Sequence, residues 1–150
     1  MSKPTCESSL SHVAIVRELD AAFRKGDIGA ILAVLSPDVE WGEPDNPFNP
    51  AAGTRCGHTG FLEWLRIGRE SEEIVLLEVR QFLGEGETVA VVGHTKCRAK
   101  STGRTYDTDF VHLVTWRDGL IVRCQEFFDT FAGGPAFRIE PPRTPTPRAG

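Results

Sequence analysis

From Ile74 to Phe131 the chain reads as four apolar, β-branched runs with three turn signals between them, and this pattern limits the fold more than any other feature. The runs are residues 74–83, 88–100, 104–116 and 120–131, rich in Val, Ile, Phe and Thr. Gly84-Glu85-Gly86-Glu87, Ser101-Thr102-Gly103 and Arg117-Asp118-Gly119 separate them, and each suits a tight hairpin between antiparallel strands. A four-strand meander is the expected core of the second half.

The first half has helical periodicity. Ser11 can cap a helix to about Lys25 whose apolar face is Ile15, Val16, Leu19, Ala22 and Phe23. Gly26 stops it, and Asp27 caps a short second helix carrying Ile28, Ile31, Leu32 and Leu35. Ser36-Pro37-Asp38 turns the chain into an early strand, Val39-Glu40-Trp41-Gly42-Glu43-Pro44. Residues 44–56 hold three prolines and a glycine and are expected to be a loop at a rim. Thr59 can cap a third helix that buries Phe61, Trp64 and Leu65 and turns Glu63, Arg66 and Glu70 to water. Helices followed by a meander, with one strand inserted early, give an α+β fold with helices over one sheet face. A strongly curved sheet covered in this way leaves room for a small ligand between the layers. Residues 1–10 are expected to be flexible, 11–132 to form the domain, and the Pro-rich residues 133–150 to form a tail, mobile beyond Ile139.

Composition narrows the function classes. A net charge of −4 with scattered Lys and Arg offers no basic face for nucleic acid or an anionic membrane. No stretch approaches a membrane span, and the N-terminal residues lack a signal-peptide core. Cys6, Cys56, Cys97 and Cys124 form no C-x-x-C pair, so free thiols in a reducing cytoplasm are expected.

The ordered segments AFRKGDI, LSPDVEWGEP, GHTG and FVHLVTWRDGLIVRCQEFFDT, between Ser11 and Ala132, resemble SnoaL-like proteins. These are ketosteroid isomerase-related members of the nuclear transport factor 2-like superfamily. The resemblance implies a cone-shaped barrel of three N-terminal helices on a curved, mainly antiparallel sheet, a pocket between them, and a homodimer formed through the sheet. The fold hosts isomerases, cyclases, epoxide hydrolases, dehydratases and binding domains, so the reaction has to be argued from the site.

Laid on the isomerase pattern, the general-base carboxylate falls at Glu43 and the oxyanion-hole acid at His112. The oxyanion-hole tyrosine falls at Leu19, which cannot donate; steroid isomerisation itself is therefore not expected. The epoxide hydrolase pattern finds its residue types in Glu43, Glu126 and Arg98 or Arg123 without aligning to them. A cyclase needs one carboxylate, Glu43 or Glu126.

Strand parity groups the candidates. Trp41 and Glu43 share a face, as do Phe110, His112, Val114 and Trp116, and so do Cys124, Glu126 and Phe128. Two carboxylates and an imidazole against aromatic walls suit proton transfer, because desolvation makes a carboxylate more basic. Glu43 is the expected base, His112 the donor or water-positioning group, and Glu126 the orienter. Parity alone leaves open which face meets the cavity, and the resemblance implies that His112 and the Cys124, Glu126 and Phe128 set do. Trp41, Trp64, Phe110, Phe128 and Cys124 are then expected to line the ligand, with His58 and Arg55 at the mouth. The bland counterparts are a His112–Glu126 pair that only satisfies the sheet, Trp41 as core packing, His58 as a helix-entry residue and Arg55 as a solvated loop side chain. His94, Lys96 and Arg98 read as an outer charged face. A metal site from His58, His112, Glu43 and Glu126 lacks ligand spacing, so no metal is expected. The expected activity is cofactor-free proton transfer on a small hydrophobic carbonyl compound; the alternative is a module that binds such a molecule unchanged.

Overall fold

The computed structural model describes residues 6–138. Helix α1 (Cys6–Lys25) and the short α2 (Ile28–Val34) lead into β1 (Leu35–Glu43), β2 (Gly53–Cys56) and α3 (Gly57–Ser71). The meander follows as β3 (Glu72–Glu85), β4 (Thr88–Ala99), β5 (Thr105–Arg117) and β6 (Leu120–Phe128), and α4 (Thr130–Phe137) ends the described chain.

The helix boundaries have local causes. After α1, Gly26 takes φ 72° and donates its N–H to Phe23, a geometry that penalises any residue with a Cβ. Asp27 then caps α2 by accepting from the Ala30 N–H at 3.1 Å. Helix α3 enters differently from the expectation. It begins at Gly57, and its N-cap is Cys56, which makes no side-chain capping bond, so Thr59 lies inside the helix. The expected burial of Phe61, Trp64 and Leu65 is found, with Glu63, Arg66 and Glu70 exposed.

The six strands make one sheet in the order β2-β1-β6-β5-β4-β3. Every adjacent pair is antiparallel except β1 with β6, which is parallel, with Trp41 opposite Cys124 and Gly42 opposite Gln125. Two strands rather than one are thus inserted early, because Gly53–Cys56, within the expected loop, pairs with β1. At the β5–β6 hairpin both Asp118 (φ 51°) and Gly119 (φ 79°) are left-handed, the conformation a two-residue turn needs to match strand twist.

The core lies between the sheet's inner face and α1–α3. Trp116, Phe61, Ile31, Leu35, Ile121, Val39 and Val89 are its largest fully buried side chains.

Two boundaries differ from those read in the sequence. Helix α1 starts five residues before Ser11. Residues 130–137 form α4, so part of the segment assigned to a tail is helix. Asp129 caps it through the Phe131 and Ala132 N–H groups. It docks on the sheet by burying Ala136 and Phe137 beside Ala99 and Tyr106. Thr102 donates to the Ala136 carbonyl and Arg104 to that of Pro135. The expectations for residues 1–5, and for mobility beyond Ile139, lie outside the described residues. Among the described residues no helix is long and apolar enough to cross a membrane.

Candidate functional site

A cavity of about 180 Å³ opens between α1, α3 and the concave face of the sheet. Side chains from β1, β5 and β6 form one wall, because residues two apart on a strand face the same way. Trp41 and Glu43 come from β1, Phe110, His112 and Val114 from β5, and Cys124, Glu126 and Phe128 from β6. Val16, Leu19 and Phe23 of α1 and Trp64 of α3 cover them. Trp116, which shares the parity of His112, lies outside the lining and stacks on His12 with ring centroids 4.8 Å apart.

Glu43 is the most constrained polar group. Trp64 donates Nε1–H to Oε1 at 2.6 Å, and Asn49 donates from Nδ2 to Oε2 at 2.9 Å. Asn49 is held in turn, since its Oδ1 accepts the Ala51 N–H at 2.9 Å. Burial raises the Glu43 pKa from 4.5 to about 7, and the charge of Glu72 adds to the rise. The two donors and the charge of Arg55 oppose it without cancelling it. A carboxyl of this kind is fixed in orientation and exchanges its proton near neutrality, as a general base or acid requires.

His112 and Glu126 are direct cross-strand neighbours, with Nε2 and Oε1 3.5 Å apart. Burial pushes the His112 pKa down to about 4. Glu126 is pushed well up, by burial first and then by the charges of Glu43 and Glu72. Near pH 7 the imidazole is therefore neutral, so the two do not form an ion pair, and burial favours the protonated form of Glu126. Glu126 is 9% exposed and makes no hydrogen bond to a described residue. Phe110 stacks on the imidazole at 4.5 Å and limits its rotation. Cys124 is buried with its pKa pushed up, so it stays a thiol and is no activated nucleophile.

The structure adds polar groups that the sequence analysis did not select. Glu72, at the start of β3, accepts a hydrogen bond from the Tyr106 hydroxyl at 2.8 Å, and both line the cavity. Burial raises the pKa of Glu72, and burial also drives Cys97 up to about 11. Parity carried back along β5 from His112 through Phe110 and Thr108 reaches Tyr106, so that residue was accessible to the same rule. Glu72 was not. A bulge between Ile74 and Leu76 changes the parity of β3, and the lining passes from Glu72 and Ile74 to Leu77 and Val79.

Two expected mouth residues are placed elsewhere. His58 puts Nε2 3.0 Å from the Leu35 carbonyl, outside the cavity lining. Arg55 donates to the backbone carbonyls of Pro50, Ala51 and Ala52, so it braces the loop and reaches Glu43 only through its field. The outer charged face is present, with His94 Nδ1 2.8 Å from Asp109 and Arg98 3.1 Å from Glu73. Among the described residues no three His, Cys, Asp or Glu side chains are grouped to hold a metal ion.

Comparison with known proteins gives a consistent picture. The sequence profile of the SnoaL-like domain matches residues 16–124. A nuclear transport factor 2-like protein from Burkholderia xenovorans LB400 is 37% identical, with a TM-score of 0.81 over 87% of this chain and 98% of that one. A nuclear transport factor 2-like protein of unknown function from Burkholderia pseudomallei K96243 is 30% identical, with a TM-score of 0.76 over 84% and 96% of the two chains. TerC, co-crystallised with polyporic acid, is 33% identical, with a TM-score of 0.73 over 83% and 96%. No curated protein matches the chain.

Proposed function

The chain belongs to the SnoaL-like family of nuclear transport factor 2-like proteins, and on that premise we propose that it is a cofactor-free proton-transfer enzyme acting on a small hydrophobic carbonyl compound in the cavity. The reaction class is isomerisation, aldol-type cyclisation, hydration or dehydration. The observation that carries this reading is Glu43, a carboxyl oriented by Trp64 and Asn49 at the wall of an apolar cavity, with its pKa near 7. In the ionised form it takes a proton from the carbon next to the carbonyl. The developing enolate oxygen is met by the imidazole N–H of neutral His112, beside a Glu126 carboxyl that burial biases towards its protonated form. Leu19 lines the cavity where the isomerase pattern has its tyrosine, so the steroid reaction is not proposed. TerC, crystallised with polyporic acid, supports a cavity that takes a small organic molecule.

A binding module of the same fold is the second reading, and the largely apolar wall built by α1, Phe110 and Phe128 favours it. The chain is also proposed to pair through the outer sheet face, where Phe127 and Val75 are 43% and 46% exposed. A monomer mass by light scattering would remove that part.

The test of catalysis is deuterium uptake from D2O into the methyl group next to the carbonyl of acetophenone and ring-substituted acetophenones, followed by proton NMR. Wild type should accelerate uptake, and Glu43→Gln should lose about a hundredfold or more of that acceleration. Equal rates for the two proteins would refute the catalytic role of Glu43. Binding without exchange in either would favour the binding module.

A further inference from the structure

Tyr106 and Glu72 make no hydrogen bond to Glu43, which feels only the charge of Glu72, yet both are built into the same cavity. They come from β5 and β3, the two strands flanking β4, and the Tyr106 hydroxyl reaches across Cys97 to the Glu72 carboxyl at 2.8 Å. The ring is held from behind by α4. Phe137 lies 6.0 Å away, and Gly133 is so close that an added Cβ would sit 3.4 Å from the ring. The hydroxyl donates its proton to Glu72 and keeps its acceptor lone pairs, while Glu72 Oε1 has no hydrogen bond to a described residue.

Tyr106 precedes His112 by six residues on the same face of β5, which is about 20 Å along an unbent strand. Tyr106, Glu72, Glu43, His112 and Glu126 nevertheless line one cavity, and the charge of Glu72 acts on both Glu43 and Glu126. Leu77, Val79 and Phe110 form an apolar belt in the same lining. An apolar protein cavity of roughly 150 Å³ accommodates benzene, so about 180 Å³ suits a body of one-ring size.

We infer that Tyr106 and Glu72 form a second anchor of the cavity, so that its ligand carries two oxygen functions on one apolar body: a carbonyl at the Glu43 end and a hydroxyl at the Tyr106–Glu72 end. A hydroxyl fits this pair because its one proton can go to the second Glu72 oxygen or to a Tyr106 lone pair while Tyr106 keeps its own bond to Glu72. The inference rests on the cavity being the ligand site, but not on turnover.

The experiment compares acetophenone with 4-hydroxyacetophenone at mildly acidic pH, titrating each into labelled protein and reading Kd from ¹H–¹⁵N shifts. Wild type should bind the hydroxy compound about tenfold tighter. Tyr106→Phe and Glu72→Gln, each checked for a folded amide spectrum, should abolish that margin, read as the ratio of the two Kd values within each protein. If acetophenone binds and the hydroxyl adds nothing, or the margin survives in both variants, the second anchor is refuted and the cavity assignment stands. If neither compound shifts cavity resonances, both are refuted.

Discussion

Replacing Glu43 by Gln should change how the stability of this protein depends on pH, and the structure sets the size of the change. The folded carboxyl titrates near 7 and an unfolded one near 4.5, a difference of about 3 kcal/mol. The sign follows from proton counts. Between those two pH values the folded chain holds a proton that the unfolded chain has released, so stability falls as pH rises from 4.5 to 7. Above pH 7 the loss is complete and the curve from this group is flat. Glu72 and Glu126, also raised, contribute slopes of the same sign. Glu43→Gln should therefore flatten the curve by about 3 kcal/mol over this window without abolishing it. The absolute stability carries an offset. The Gln carbonyl can still accept from Trp64, but its amide then faces the Asn49 amide, whose oxygen is committed to Ala51, at a cost of about 1–3 kcal/mol. The assay is denaturant unfolding at pH steps from 4.5 to 8, with ¹³C NMR of the Glu carboxyls to assign each titration. The variant should also show Glu126 moving towards its ordinary range, since the Glu43 charge helps to raise it. A Glu43 titration near 4.5, or parallel stability curves for the two proteins, would refute the reasoning.

Other consequences are as direct. Trp64→Phe keeps most of the ring but deletes the donor to Oε1, so Glu43 should titrate above its wild-type value; an unchanged titration would mean that the 2.6 Å bond contributes nothing. Gly93→Ala places a Cβ against the Glu78 carbonyl and 2.5 Å from Phe110 Cζ, and should cost about 3 kcal/mol in thermal unfolding, whereas an unshifted Tm would contradict the close approach of β4 to β3. Phe137→Ala removes the main buried side chain of α4 and should cost about 3–5 kcal/mol if that helix is part of the domain; a change near zero would return it to the tail.

The sequence was legible where local rules operate. Period-two parity grouped Trp41 with Glu43, Phe110 with His112, and Cys124 with Glu126 and Phe128, because β1, β5 and β6 keep regular side-chain alternation through those positions, and the family resemblance turned the β5 and β6 faces to the cavity. Hairpin signals located β3 to β6, because each turn is set by its own few residues. Three things required the fold. Asn49 reaches Glu43 from a loop whose shape is set by its own Asx-type turns at Asn46 and Asn49. Glu72 meets Tyr106 across 34 residues, beyond a bulge that no alternation pattern reveals. Arg55 and His58 were placed at the mouth because they are polar residues in a loop and at a helix entry. The backbone carbonyls of residues 50–52 and of Leu35 hold them instead, since buried carbonyls need donors.

The pH profile of deuterium exchange into acetophenone tests the central claim most directly, because it links one carboxyl to one proton transfer. The account predicts a rate that rises with pH through a midpoint near 7, matching the Glu43 titration, and is lost in Glu43→Gln. A profile with no inflection near 7, or one that the variant reproduces, would contradict it.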